Sequence, residues 1–195
     1  MKKSTIIILG VGLFLLQAAA AQQGTRTVFL VRHAEATSTA PDASLTPAGQ
    51  KRAECLATMF KDAGIKKIFV TDMARTQQTA APLAQALQIT PTIVPAKDPS
   101  SMIKDILFNA GGTTLVVGHS DTLGFILARM RAGNVSQIPP TEYDRMYVTT
   151  LVEGNATQAI MLHYCGPSTA AGSMMPRPSP KPTAKKATPT PTKKK

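Results

Sequence analysis

The fold class this 195-residue chain predicts is α/β: a three-layer α/β/α sandwich on a mainly parallel sheet with an antiparallel edge. Three observations predict it. Short apolar runs alternate with segments whose apolar residues recur at helical spacing. Two of those runs, Val28-Phe29-Leu30-Val31 and Leu115-Val116-Val117, are fully apolar, as suits strands buried on both faces of a parallel sheet. The last two strand-like runs are joined by Glu153-Gly154-Asn155, a hairpin signal, so the sheet should end in antiparallel pairing.

The elements follow in order. Residues 27–32 form a first strand. Thr46-Pro47 opens a helix, with Thr as cap and Pro in its first turn. Gly49, Ala53, Leu56, Phe60 and Ala63 share one face of it, and Gly64 ends it. Ile68-Phe69-Val70 is a second strand, followed by a helix with Ala80, Leu83, Ala84 and Leu87 on one face. A short extended piece at Thr92-Ile93-Val94 leads through Pro95 and Pro99 into a helix carrying Met102, Ile103, Ile106 and Leu107. Gly111-Gly112 ends that helix before the strand at 115–117. A helix with Leu123, Ile126, Leu127 and Met130 comes next, and strands at 145–152 and 157–164 close the domain.

The ends of the chain have other compositions. Residues 1–21 read as a secretory signal peptide: Lys2-Lys3, an apolar run from Ile6 to Leu16, and Ala19-Ala20-Ala21 for cleavage. Residues 167–195 are rich in Pro, Thr, Ala and Lys, a composition that cannot bury enough apolar surface to offset ordering entropy, so a disordered basic tail is expected. The domain at 22–166 holds 13 Lys and Arg against 11 acids, so most of the net charge of +11 belongs to the two ends. Such a tail suits an anionic envelope or membrane surface. Nucleic acid is disfavoured, because the domain shows no basic stripe interleaved with aromatics. Cys55 and Cys165 are the two cysteines. An exported protein could pair them, and buried free thiols are the alternative that the sequence leaves open.

Chemistry concentrates where strands end. His33 and His119 each follow a buried apolar strand, one of them beside Arg32. In an open α/β sheet the loops at the carboxyl ends of strands converge on a crevice, so the two histidines are placed to share one site. His163 lies in the final strand without chemical neighbours and reads as structural. No run of His, Cys, Asp and Glu has metal-ligand spacing, and no cofactor is expected.

Four ordered motifs, Arg32-His33-Ala34-Glu35, Leu45-Thr46-Pro47-Ala48-Gly49, Arg75-Thr76-Gln77-Gln78-Thr79-Ala80 and Val117-Gly118-His119-Ser120, give the chain a resemblance to the histidine phosphatase superfamily, in its phosphoglycerate-mutase-like branch. The resemblance implies that His33 is a nucleophile carrying a phosphoryl group on a ring nitrogen. It implies that Arg32 and Arg75 hold the phosphate, and that His119 donates a hydrogen bond to a phosphoryl oxygen. Guanidinium groups suit that task because phosphoryl transfer is largely positioning and charge neutralisation. Ala34 stands where the family usually has glycine, and its Cβ would penalise a positive φ. Members commonly supply a carboxylic acid after the third strand. Here Asp98 is the nearest candidate, Asp121 and Glu35 are others, and helix capping explains Asp98 and Asp121 equally well.

The expectation is therefore metal-independent hydrolysis of a small phosphomonoester outside the cytoplasm, in the periplasm or secreted, through a phosphohistidine on His33. A phosphohistidine-protein phosphatase and a noncatalytic binder of envelope phosphate groups are the alternatives.

Overall fold

The computed structural model describes residues 25–108, 111–152 and 154–168. The expected signal peptide and nearly all of the expected tail lie outside these residues, as does Glu153 of the hairpin signal. Strand β1 (Arg26–Arg32) leads to helix α1 (Pro47–Phe60), β2 (Ile65–Thr71) to α2 (Ala74–Leu87), β3 (Thr92–Val94) to α3 (Ser100–Phe108), and β4 (Thr113–Gly118) to α4 (Thr122–Arg129). Three strands follow: β5 (Arg145–Val152), β6 (Asn155–Ala156) and β7 (Ile160–His163).

One sheet runs β3-β2-β4-β1-β5, with β6 and β7 both paired to β5. The β3/β2, β2/β4 and β4/β1 pairs are parallel, and every pairing that involves β5 is antiparallel. Period-two alternation sends the side chains to two apolar layers. Val28, Leu30, Phe69 and Val116 pack with Met102, Ile103 and Ile106 of α3 and Leu123, Ile126 and Leu127 of α4. Val31, Ile68, Val70, Leu115 and Val117 pack with Leu56 and Phe60 of α1 and Ala80, Leu83 and Ala84 of α2. This is the expected α/β/α sandwich.

The layering locates a crevice. Adjacent strands β1 and β4 are followed by helices on opposite faces, so their carboxyl ends form the topological switch point at which open α/β sheets bind ligands. Arg32 pairs with Gly118 in register, and the His33 amide donates to the Gly118 carbonyl at 2.9 Å. The two histidines therefore leave the sheet side by side.

The expected strand at 157–164 is broken. Leu151 opposes Ala156 and Val148 opposes Ile160, so residues 157–159 face only Thr149 and Thr150, a bulge of one residue. The Ala159 amide leaves the ladder and donates to the Ala132 carbonyl at 2.7 Å. The first helix begins as expected, with the Thr46 hydroxyl accepting from the Gly49 amide.

Candidate active site

His33, 7% exposed, sits just past the end of β1. Its Nδ1 lies 2.8 Å from the Ala34 carbonyl, which can only accept, so Nδ1 carries the proton and Nε2 holds the lone pair. Burial pushes the His33 pKa down to about 3, and the positive charges of Arg32 and Arg75 add to the effect. The ring is therefore neutral at neutral pH. Ala34 does not take a positive φ; among described non-glycine residues that conformation falls at Gln88, Arg131 and Cys165. Its amide donates instead to Thr79 Oγ1, so the alanine is accommodated without strain.

His119 lies beside it, ring centroids 5.3 Å apart. Arg75 Nη2 donates to His119 Nδ1 at 3.5 Å, so the His119 proton is on Nε2, which donates to Thr71 Oγ1 at 2.9 Å. Burial, then Arg75, pushes its pKa down to about 4. The expected donor role therefore needs a proton that His119 does not carry on Nδ1 in the free site.

Arg32 is gripped through one nitrogen and Arg75 through two. Arg32 Nη1 donates to the carbonyls of Pro139 at 2.9 Å, Pro140 at 3.0 Å and Glu142 at 2.9 Å, and the Tyr143 ring lies 4.1 Å from its guanidinium carbon. Its buried Nε has no partner. A buried donor left open is costly unless an anion arrives to accept from it. Arg75 Nη1 donates to the Ala40 carbonyl at 2.9 Å.

These four residues line one cleft of about 810 Å³, whose mouth includes Met73, Lys97, Asp98, Asp121, Phe125 and Tyr143. The acid candidates fare differently. Asp98 lies at the mouth, but the Ser100 hydroxyl and amide hold its carboxyl below the usual carboxylate range. It is ionised, and poorly suited to protonate a leaving group. Asp121 also lines the cleft and caps α4, accepting from the Thr122 amide at 2.9 Å. Glu35 is not in the cleft: its carboxylate is buried against Arg52, receiving Nη2 at 2.8 Å and Nε at 3.0 Å. An acid already committed to a buried guanidinium is unavailable for proton transfer.

Sequence reading missed Thr71, Tyr143 and Arg52. Thr71 ends a strand four residues before Arg75, a spacing that could have marked it. Tyr143 lies in an irregular segment without periodic signal. The fold also gathers Glu142, Asp144 and His163, one ligand atom from each within 4.8 Å of the others, although no spacing in the sequence suggested such a cluster. Glu142 is paired with Arg145, and Asp144 with His163 and Ser168, so the group reads as a hydrogen-bonded network.

Comparisons with known proteins agree with this geometry. A curated relative, the PE-PGRS family protein PE_PGRS11 of Mycobacterium tuberculosis (strain ATCC 25618 / H37Rv), is 31% identical over 112 residues, covering 55% of this chain. The match spans only 19% of that protein's length. The fold is similar to that of the protein histidine phosphatase SixA complexed with tungstate, at TM-score 0.57 and 19% identity over 70% of this chain and 96% of that one. It is also similar to a putative alpha-ribazole-5'-P phosphatase from Escherichia coli K-12, at TM-score 0.53 and 15% identity over 72% and 96% of the two chains. A mycobacterial glucosyl-3-phosphoglycerate phosphatase matches at TM-score 0.52 and 9% identity, over 72% and 99%. The profile of the histidine phosphatase superfamily (branch 1) matches residues 28–96, the stretch holding Arg32, His33 and Arg75, and the fold adds His119 from beyond it. Over residues 28–96 the chain is thus similar to branch 1 of the histidine phosphatase superfamily, and its fold is similar to that of solved phosphatases.

Proposed function

We propose that the chain hydrolyses phosphomonoesters through a phosphohistidine on His33, with no metal in the chemistry. The observation that carries this is the neutral His33 ring, its lone-pair nitrogen in a cleft with Arg75 and with Arg32, whose buried Nε has no partner. In the first step the P–Nε2 bond forms as the bond to the leaving oxygen breaks. In the second, water attacks phosphorus, the P–N bond breaks and inorganic phosphate leaves. Arg32 and Arg75 neutralise the equatorial oxygens. An arriving phosphate dianion draws Arg75 toward itself and favours protonated His119, which then donates from Nδ1.

With Asp98 ionised and Glu35 tied to Arg52, substrates with good leaving groups should react fastest. The same feature favours the second reading, phosphohistidine on a protein, because a protonated imidazole leaves without an acid. We place the activity outside the cytoplasm on the reading of residues 1–21, supported by the bond between Cys55 and Cys165, since disulfides persist in oxidising compartments. The tail would hold the enzyme at an anionic envelope surface.

The test is hydrolysis of an aryl phosphate in chelator by the full chain and by His33→Ala. Turnover by the first alone supports the reading. No turnover by either, with inorganic phosphate still bound, would replace it with a phosphate-binding module.

A further inference from the structure

Two segments outside the chemistry converge on Arg32. The first, Pro139 to Tyr143, supplies three carbonyls to Arg32 Nη1 and lays the Tyr143 ring over the guanidinium face. Three acceptors exceed the two hydrogens on Nη1, so the group sits in a cradle of negative carbonyl potential, not in a set of separate bonds. The second segment, Tyr164 to Ser168, straps the first in place. Ser168 Oγ accepts from the Tyr143 amide at 2.6 Å and donates to Asp144 Oδ1 at 3.0 Å.

The strap is itself pinned twice. Arg52 donates to the carbonyls of Tyr164 and Gly166 at 3.2 Å each, and Cys165 is bonded to Cys55 of α1. Cys165 has φ 56°, a left-handed conformation that a non-glycine residue keeps only where its surroundings impose it.

We propose that Tyr143 is a positioning residue for Arg32, held there through Ser168 by the disulfide-pinned strap 164–168. Cradle and ring fix Nη1 and one guanidinium face, which leaves Nε and Nη2 as a two-pronged donor for two phosphoryl oxygens. Orientation settled before the substrate arrives is not lost as entropy in the transition state. The proposal rests on Arg32 being an arm of the phosphate site.

Inorganic phosphate as competitive inhibitor of aryl phosphate hydrolysis, with kcat/KM, tests it on the full chain. Tyr143→Leu should weaken phosphate inhibition and lower kcat/KM by about tenfold, while Tyr143→Phe, which keeps the ring face, stays within about threefold. Ser168→Ala should fall between, and Tyr143→Leu should add nothing in an Arg32→Ala background. Equal losses for Tyr143→Phe and Tyr143→Leu would overturn the proposal by assigning the effect to the hydroxyl. So would a full Tyr143→Leu loss without Arg32. If Arg32→Ala alone leaves phosphate inhibition unchanged, the phosphate-site reading of Arg32 fails first.

The strap half has its own arm. A dithiol reductant delivers two electrons and two protons, closing its own disulfide as Cys55 and Cys165 become thiols. Below the melting temperature of the reduced chain, this should reproduce the Ser168→Ala loss. Unchanged phosphate inhibition in both the reduced chain and Ser168→Ala would remove the strap from the proposal.

Discussion

His33 and His119 are held neutral by burial among positive charges, and that has a cost visible in stability. Their pKa values, pushed down to about 3 and about 4, lie below the ordinary 6.5, so in acid the unfolded chain binds protons that the folded chain does not. Stability is therefore highest above pH 6.5 and falls as pH drops toward 4. At pH 5 each histidine should contribute a loss of about 2 kcal/mol, from about 1.4 kcal/mol per pH unit. Urea unfolding at pH 7 and pH 5 checks this, and His33→Gln should remove roughly half of the pH dependence. An unchanged slope in the variant would show that His33 ionises freely in the folded state. A second residue-scale prediction concerns Thr71, which receives the His119 Nε2 proton. Thr71→Val keeps the shape and removes the acceptor, so kcat/KM should fall by about tenfold, from about 1–3 kcal/mol for an unsatisfied buried donor. Thr71→Ser should restore it. The arginines and histidines were legible in the sequence because each sits at a strand end or helix start inside a motif. Thr71 and Tyr143 were not, because their roles depend on which chain segments meet across the cleft. Glu35, two residues beyond the motif histidine, misled for the same reason: its partner Arg52 lies in the next helix.

At the scale of elements, helical and strand periodicities placed every helix and the first five strands within a few residues. The last strand broke at 157–159 because the Ala159 amide bonds to the loop after α4, a contact no local pattern carries. Docking of α1 against the loop after β1 depends on Gly49. A Cβ there would lie 2.2 Å from the Glu35 carbonyl oxygen, which also accepts from the Thr46 amide at the helix start. Gly49→Ala should thus destabilise by about 2 kcal/mol or more despite alanine's better helix propensity, because backbone must move. Helix α2 supplies the opposite case. Pro82 lies in its interior, where it lacks an amide to donate and its ring crowds the preceding turn. Pro82→Ala should stabilise by about 1–3 kcal/mol, given a proline penalty of about 3 kcal/mol in helix interiors. Chemical denaturation reads both, and a stability loss in Pro82→Ala would mean that the proline ring itself is required for packing.

At the scale of the molecule, the sheet order explains a link that the spacing of the cysteines could not. Helix α1 packs with α2 beneath β1, β2 and β4, and β7 lies beyond β5 on the same sheet, so the chain emerging from β7 passes over α1. That brings Cys165 to Cys55 with Cα atoms 6.0 Å apart, across 110 residues of sequence. Closing so long a loop restricts the unfolded chain more than the folded one, by about 4–5 kcal/mol in the chain-entropy picture. The left-handed backbone at Cys165 works against this, since a free chain can relax it for about 1 kcal/mol or more. A net contribution of about 3–4 kcal/mol is a large share of the 5–15 kcal/mol that holds a typical domain. Cys55→Ala/Cys165→Ala should accordingly lower the melting temperature by about 10 °C, at about 3 °C per kcal/mol for a domain of this size. Calorimetry of the oxidised protein and the double variant measures it. A shift of less than about 3 °C would mean that Arg52 and the packing around Tyr164 already confine the strap, leaving the covalent bond little to restrain.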